Sequence, residues 1–245
     1  MRIKFPLFIL AALMLAVPLW AQDGSKGTIV GTAHDMSGVT GTICGTCHIP
    51  HQDQGTNRTL LWNHATTTNT AYTAYSSATL NATITPLNQS DTTQQTSEAF
   101  YSLACMSCHD GVTATNVVYR VPAEATSSTG PDANGFYTIG TATALATDTT
   151  IGTDLSNDHP VNFVYDSALT TADGGLYTPA TPNAAGVGYV RAKTSGATGQ
   201  VTVPVLFNNT VQCATCHNPH NDTTMPYLRV SNTNSGLCLQ CHSTT

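Results

Sequence analysis

Four short units in this chain combine two thiols with an imidazole at one fixed spacing. Each unit reads Cys-x-x-Cys-His, and together the four contain all 8 cysteines of the 245 residues. The first and third units extend to a second histidine three residues further on, as CGTCHIPH and CATCHNPH. The units are Cys44–His48, Cys105–His109, Cys213–His217 and Cys238–His242.

This spacing is typical of covalent haem attachment. Two cysteines three positions apart reach the two vinyl groups on one edge of a haem and become thioethers, and the next histidine takes an axial position on the iron. The sequence therefore predicts four covalently bound haem c groups, one per unit. The predicted proximal ligands are His48, His109, His217 and His242, and the predicted attachment points are Cys44, Cys47, Cys105, Cys108, Cys213, Cys216, Cys238 and Cys241.

Three other uses of paired cysteines fit this sequence less well than haem attachment does. Zinc sites also use CxxC pairs, but zinc does not require a histidine after every second cysteine. A framework of four disulfides suits an exported chain, yet it leaves the histidines unexplained. A thioredoxin-like redox pair normally lies near a βαβ pattern, which the sequence lacks.

The chain holds five further histidines, which are candidates for the distal side of the four irons: His34, His51, His64, His159 and His220. This supply predicts bis-histidine ligation throughout, with one histidine in surplus. Methionine is the alternative axial ligand and would raise the reduction potential. The candidates of that kind are Met36, Met106 and Met225.

His51 and His220 each lie three residues beyond a predicted proximal histidine, with Pro50 or Pro219 between. Residues three apart on a helical turn have Cβ atoms only about 5–6 Å apart. Neither histidine can therefore reach the far side of its own haem, and each is predicted to bind the iron of a neighbouring haem. The alternative is a solvated histidine in a loop.

The other three candidates have weaker local signals. His64 follows Leu60–Trp62, three apolar residues able to pack on a porphyrin face. His159 lies in NDHPVNF, where Asp158 or a nearby carbonyl can accept the Nδ1 proton and orient Nε2 towards iron. His34 is the least constrained, and it is either the surplus histidine or one that reaches another subunit.

The N-terminus predicts export. Residues 1–21 have a positive start, an apolar run and a small residue before polar ones, as in a secretory signal peptide. An uncleaved anchor is the alternative, but the run is shorter than the roughly 20 residues that span a bilayer. With 8 lysines and arginines and a net charge of -6, the chain has no basic patch for nucleic acid. We expect an extracellular, cell-surface or periplasmic protein without stable membrane insertion.

The predicted fold class is a haem-centred multihaem cytochrome c fold. It is expected to be mostly loops, with short helices at the CxxCH motifs and a few short β-strands. Residues 22–245 are predicted to be a single tetrahaem domain, with dihaem parts at 22–117 and 208–245 and a Thr/Gly-rich, haem-free insert at 118–207. Within the insert, alternating residues 188–207 around a glycine-rich stretch predict a β-hairpin.

Several pieces of the sequence resemble one known family, the extracellular tetrahaem cytochrome filaments, or OmcE-like cytochrome nanowires. These pieces are CGTCHIPH, LWNH, NDHPVNF, and CATCHNPH followed by CLQCH. The resemblance implies bis-histidine ligation of every haem, a continuous haem stack and end-to-end polymerisation of subunits. It also implies that one haem takes its histidine from the adjoining subunit. The implied distal ligands are His51, His64, His159, His220 and His34.

Closely spaced haems without an open coordination site predict an electron carrier, not an enzyme. The leading hypothesis is a self-associating filament subunit that passes electrons to other redox proteins or to external acceptors such as metal oxides. A soluble periplasmic tetrahaem shuttle is the alternative. A reductase of a small oxyanion would need a five-coordinate iron, which the histidine surplus argues against.

Overall fold

The computed structural model describes residues 29–49, 60–66, 72–141, 145, 149–184, 186–190 and 203–243. The predicted signal peptide at 1–21 lies outside these residues, and so do Pro50 and His51. Among the described residues, no helix has both the length and the apolar character needed to cross a membrane.

The helices of the described chain are short, because capping residues start and stop them. Asp91 accepts hydrogen bonds from the first turn of the second helix, and Asp166 does so for the fourth. Gly174 ends the fourth helix at a φ of 74°, a left-handed conformation that favours glycine. The helices are α1 Ser37–Thr40, α2 Thr92–Gln95, α3 Phe100–His109, α4 Ser167–Asp173 and α5 Cys213–Cys216, followed by 3₁₀ turns at Thr233–Ser235 and Cys238–Gln240.

The strands of the described chain form two small antiparallel sheets. The strands are β1 Val117–Val118, β2 Tyr137–Thr138, β3 Phe163–Val164, β4 Val187–Tyr189, β5 Val205–Phe207 and β6 Thr210–Val211. Strands β1 and β2 form one sheet, and the other has the order β3-β6-β5-β4. Asn208 and Asn209 link β5 to β6 with φ values of 49° and 60°, as a tight hairpin turn requires.

The predicted hairpin around residues 188–207 is confirmed in its strand pairing. Val187 pairs with Phe207 and Tyr189 with Val205 in antiparallel register. The alternation of apolar and polar residues was the signal for this pairing. Residues 191–202, which join the two strands, lie outside the described residues.

The apolar side chains gather in three small clusters. One surrounds α3, a second lies on the β3–β6 side of the larger sheet, and a third lies along β4 and β5. Their main members are Phe100, Leu103 and Met106; Phe163, Tyr165 and Leu206; and Val187, Val205 and Phe207. The chain therefore has few helices, small antiparallel sheets and little regular structure, as the sequence predicted and as is compatible with a multihaem cytochrome.

Candidate haem-binding sites

Each CxxCH unit is closed by one helical hydrogen bond. The histidine N–H donates to the carbonyl of the first cysteine four residues back, which is the α-helical pattern. This brings both sulphurs and the imidazole onto a single turn. The distances are 2.8 Å in Cys44–His48, 3.1 Å in Cys213–His217 and 2.9 Å in Cys238–His242, and the unit Cys105–His109 forms the end of α3.

Three of the predicted proximal histidines hold a backbone carbonyl at Nδ1. An N–H at Nδ1 then donates to the carbonyl and leaves the lone pair of Nε2 for a metal, which is the usual arrangement of ligating histidines. The pairs are His48 with Leu60 at 2.6 Å, His109 with Thr149 at 2.8 Å and His217 with Pro226 at 2.9 Å. These acceptors lie outside the CxxCH units, so the loops orient the imidazoles.

Three predicted proximal histidines also face a predicted distal histidine. The ring centroids of His48 and His220 are 6.0 Å apart and those of His109 and His34 are 6.2 Å apart. The centroids of His242 and His159 are 6.5 Å apart. Each pair joins parts of the chain that are distant in sequence.

These separations match what one iron between two imidazoles requires. An imidazole nitrogen binds a first-row metal at about 2.0 Å and lies about 1.1 Å from its ring centroid, so two imidazoles on opposite sides of one metal would have centroids about 6.2 Å apart. Rotation of either ring about the metal–nitrogen axis leaves that distance unchanged. The interplanar angles of 20°, 88° and 77° are therefore all compatible with axial ligation, and the residues fit a bis-histidine haem.

Backbone carbonyls also orient two of the distal candidates. His159 Nδ1 lies 2.9 Å from the carbonyl of Pro160. A nearby carbonyl, and not Asp158, is therefore the partner of His159 Nδ1. His34 Nδ1 lies 3.2 Å from the carbonyl of Pro219. His34, which the sequence constrained least, thus lies opposite His109 within its own chain.

The fourth proximal candidate, His217, has no histidine ring opposite it in the described part of the chain. Burial lowers the pKa of His217, and the nearby Arg229 charge adds to this effect. His51 lies outside the described residues. Its predicted role as the ligand of a neighbouring haem therefore stays a prediction.

His64 has different surroundings from the other histidines. It is completely buried, with Nδ1 at 2.9 Å from the Ala65 carbonyl and Nε2 at 3.2 Å from the Ala114 carbonyl. Burial lowers its pKa to about 4. The Leu60–Trp62 segment expected to support His64 contacts His48 instead, through the Leu60 carbonyl and a Trp62 ring 5.7 Å from the imidazole.

No disulfide joins any two of the eight cysteines in the structure. Burial raises the pKa of Cys47 and Cys216 to about 11 and that of Cys241 to about 12. These sulphurs are therefore neutral and lie in apolar surroundings, as the edge of a porphyrin needs. No group of three or more His, Cys, Asp or Glu within the described ranges could hold a metal ion.

The third unit contacts sulphurs of two other units. A hydrogen bond between the Cys105 and Cys213 thiols raises the pKa of Cys105 and lowers that of Cys213. Cys216 lies close enough to Cys241 to raise its pKa electrostatically, after the larger effect of burial. His220, which follows the third unit, faces His48 of the first. Cys213–His220 is thus adjacent to all three other units.

The methionine alternatives occupy other environments. Met106 is 1% exposed and packs with Phe100 and Leu103 in the cluster around α3. Met225 is 63% exposed. Met36 is the N-cap residue of α1.

Comparison with known proteins agrees with the chemistry of these units. The family model described as the doubled CXXCH motif matches residues 207–245, which contain the third and fourth units. A search of curated proteins finds no match to the chain. The paired motif indicates a c-type cytochrome-like protein with covalently bound haem c and a function in electron transfer.

Sequence reasoning missed the residues that orient the histidines. The loop after His217 supplies the Pro219 and Pro226 carbonyls and the ring of Tyr227, which stacks on His34. Pro219 lies between His217 and His220 in the sequence, but nothing in the local sequence signals the role of its carbonyl or of Tyr227.

Proposed function

We propose that the chain carries four haems, one on each CxxCH unit, and that every iron has two histidine ligands. The observation that carries this proposal is the separation of 6.0–6.5 Å between three proximal histidines and three distal ones. In this assignment His220 serves the first haem, His34 the second and His159 the fourth. His51 is the predicted ligand for the third, and His64 is the surplus histidine that the count of nine requires.

The haem iron supplies reversible one-electron chemistry, and the chain supplies position and protection. Thioethers would fix each porphyrin edge, and two histidines would occupy both axial positions of each iron and leave none open to a substrate. The carbonyls of Leu60, Thr149 and Pro226 hold the proximal imidazoles in one tautomer. We therefore take the protein to be an electron carrier and not an enzyme, with a fold centred on its haems.

The third unit supports electron transfer within the chain. Its first cysteine hydrogen-bonds to the second unit, its second cysteine lies beside the fourth, and its trailing histidine faces the first. A haem on the third unit would therefore lie next to the haems of the other three units, and electrons exchange fastest between adjacent haems. We assign the third haem as the junction of the four.

The wider role that we propose is that of an exported subunit of an electron-conducting filament. It rests on the resemblance of the ligand-bearing pieces to the extracellular tetrahaem filaments. A chain with 9% charged residues and a net charge of -6 has little self-repulsion to oppose polymerisation. External acceptors such as metal oxides, or other redox proteins, would receive the electrons.

The haem assignment is tested on protein exported from a host that matures c-type cytochromes. Intact mass and haem staining are expected to give four haems per chain, and electron paramagnetic resonance is expected to show only low-spin iron. Cyanide should bind no haem rapidly. A stoichiometric high-spin iron that binds cyanide would refute full bis-histidine ligation and favour a reductase.

The filament is tested separately, by electron microscopy of haem-staining material sheared from the cell surface. Thin regular filaments that contain this polypeptide are expected. Discrete particles confined to the periplasm would refute the filament and favour a soluble shuttle, while leaving the haem assignment intact.

A further inference from the structure

The loop that follows the third CxxCH unit contacts the distal histidine of a different unit. This loop, residues 218–228, leaves His217 and returns to it, since His217 and Leu228 form an antiparallel bridge. Along its course it provides the Pro226 carbonyl for His217 and the Pro219 carbonyl for His34. One loop therefore contacts two imidazoles that the proposed function assigns to separate irons, and its own His220 is assigned to a third iron.

Tyr227 contacts His34 through both its ring and its hydroxyl. The two ring centroids are 4.4 Å apart with planes tilted by 38°, and the His34 main-chain N–H donates to the Tyr227 hydroxyl at 3.3 Å. Tyr227 is only 8% exposed. Its phenol thus covers one face of the imidazole and also anchors the backbone beneath it.

The backbone of Tyr227 indicates that its surroundings fix its position. Its φ of 59° is in the left-handed region, which is strained for a non-glycine residue and persists only where neighbouring contacts enforce it. One such contact is the hydrogen bond from Asn218 N–H to the Tyr227 carbonyl at 2.7 Å. The ring is therefore held in place from the third unit.

His34 needs an external support of this kind. It precedes α1 in a stretch of turns, where its own segment offers only a 3.2 Å hydrogen bond from the His34 N–H to the Thr32 hydroxyl. An axial ligand on such a segment loses side-chain and backbone freedom when it binds iron. Stacking on a fixed ring reduces that loss, because the imidazole is already oriented.

We propose that Tyr227 is a positioning residue that holds the His34 imidazole on the iron of the Cys105–His109 haem. This inference rests on the proposed bis-histidine ligation. Because the same loop orients His217, Tyr227 links the ligation of the second haem to the position of the third. The phenol itself does not bind iron, since its hydroxyl accepts from the His34 backbone.

The test compares Tyr227→Leu with His34→Ala in the intact haem-loaded protein. His34→Ala defines the signal of the second haem with its distal ligand removed. In Tyr227→Leu, one of the four irons is expected to become high-spin in a fraction of the molecules, with the high-spin spectrum that His34→Ala shows. Added imidazole is expected to restore the low-spin form. The double variant should show no more high-spin iron than His34→Ala alone, because both changes act on one ligand.

Two further variants keep the test decisive. Tyr227→Phe keeps the stack and loses only the hydroxyl, so it is expected to remain low-spin while cyanide displaces one ligand at least threefold faster than in wild type. Tyr119→Leu is the matched control, since Tyr119 packs on Phe136 at 4.8 Å and not on a histidine. It should lower stability without changing the spin state.

The outcomes separate this inference from the proposed function. High-spin iron in the wild-type protein would contradict bis-histidine ligation itself. Wild-type protein that is fully low-spin, together with Tyr227→Leu protein that is also fully low-spin, would overturn only the role of Tyr227. A high-spin signal in Tyr227→Leu that adds to that of His34→Ala would overturn it as well, because Tyr227 would then support a different ligand. If Tyr227→Leu does not fold, an unchanged cyanide rate in Tyr227→Phe overturns the proposal.

Discussion

Acidification from pH 7 to pH 5 should destabilise the protein through His64. This imidazole is fully buried, and burial lowers its pKa from 6.5 to about 4. In the unfolded chain His64 takes up a proton below pH 6.5, whereas in the folded chain it stays neutral until about pH 4. The free energy of unfolding is therefore undiminished by His64 above pH 6.5, and it decreases progressively as the pH falls from 6.5 to 4.

The magnitude follows from the pKa difference. Each pKa unit corresponds to about 1.4 kcal/mol, so the whole window from pH 6.5 to 4 is worth about 3 kcal/mol, and the step from pH 7 to 5 is worth about 2 kcal/mol. His64→Gln removes the titrating group and keeps a polar side chain. Its stability should therefore fall by about 2 kcal/mol less than that of wild type over the same step.

The assay is denaturant unfolding of the haem-loaded protein at pH 7 and pH 5. Asn116→Ala is the matched control, because Asn116 is also buried and polar, donates to the Ile139 carbonyl and does not titrate. That variant should be less stable than wild type at both pH values, with the wild-type pH dependence. Equal pH dependence of wild type and His64→Gln would refute the burial of a neutral His64, and new high-spin iron in His64→Gln would show that His64 is a ligand after all.

Five other substitutions have defined outcomes. His34→Ala, His159→Ala and His220→Ala should each convert one iron in four to high spin in resonance spectra, and a variant that stays fully low-spin would remove that histidine from the ligand set. Tyr72→Phe should cost about 2 kcal/mol in denaturant unfolding, because the Tyr72 hydroxyl donates to buried Asp110 at 2.8 Å; an unchanged midpoint would contradict this. Gly140→Ala should cost at least about 2 kcal/mol, since Gly140 has a φ of 58° and an added Cβ would overlap the Val39 carbonyl oxygen. Gly130→Ala, which meets no atom within 4 Å, is the control with unchanged stability.

Features set by local sequence were predictable, and contacts between distant loops were not. The CxxCH spacing specifies a helical turn, and that turn recurs in each unit with its closing hydrogen bond. The alternation in residues 188–207 specifies strands, and β4 pairs with β5 in antiparallel register. Both signals arise from neighbours along the chain, where periodicity reflects backbone geometry.

The ring pairs have no such local signal. His34 and His109 meet because turns before α1 and the end of α3 are brought together by the loop after His217. No periodic pattern in the sequence predicts that these two distant segments lie side by side. The geometric rule that a histidine three residues beyond a proximal one must serve another haem did narrow the choice, and His220 lies beside His48. For His34 and His64, which lacked such a constraint, the sequence could not predict which imidazole lies opposite a proximal histidine.

The position of the third unit explains why one loop contacts the ligands of two haems. A chain with few apolar clusters must hold several irons with loops, and each loop needs rigid anchors. Residues 218–228 gain theirs from His217 at both ends, through the turn of α5 and the bridge to Leu228. A loop anchored on one haem ligand can fix another ligand at little additional entropic cost. Ligation of the second haem and geometry of the third are then coupled, so Tyr227→Leu should alter the potentials of both haems together in a redox titration and leave that of the fourth haem unchanged.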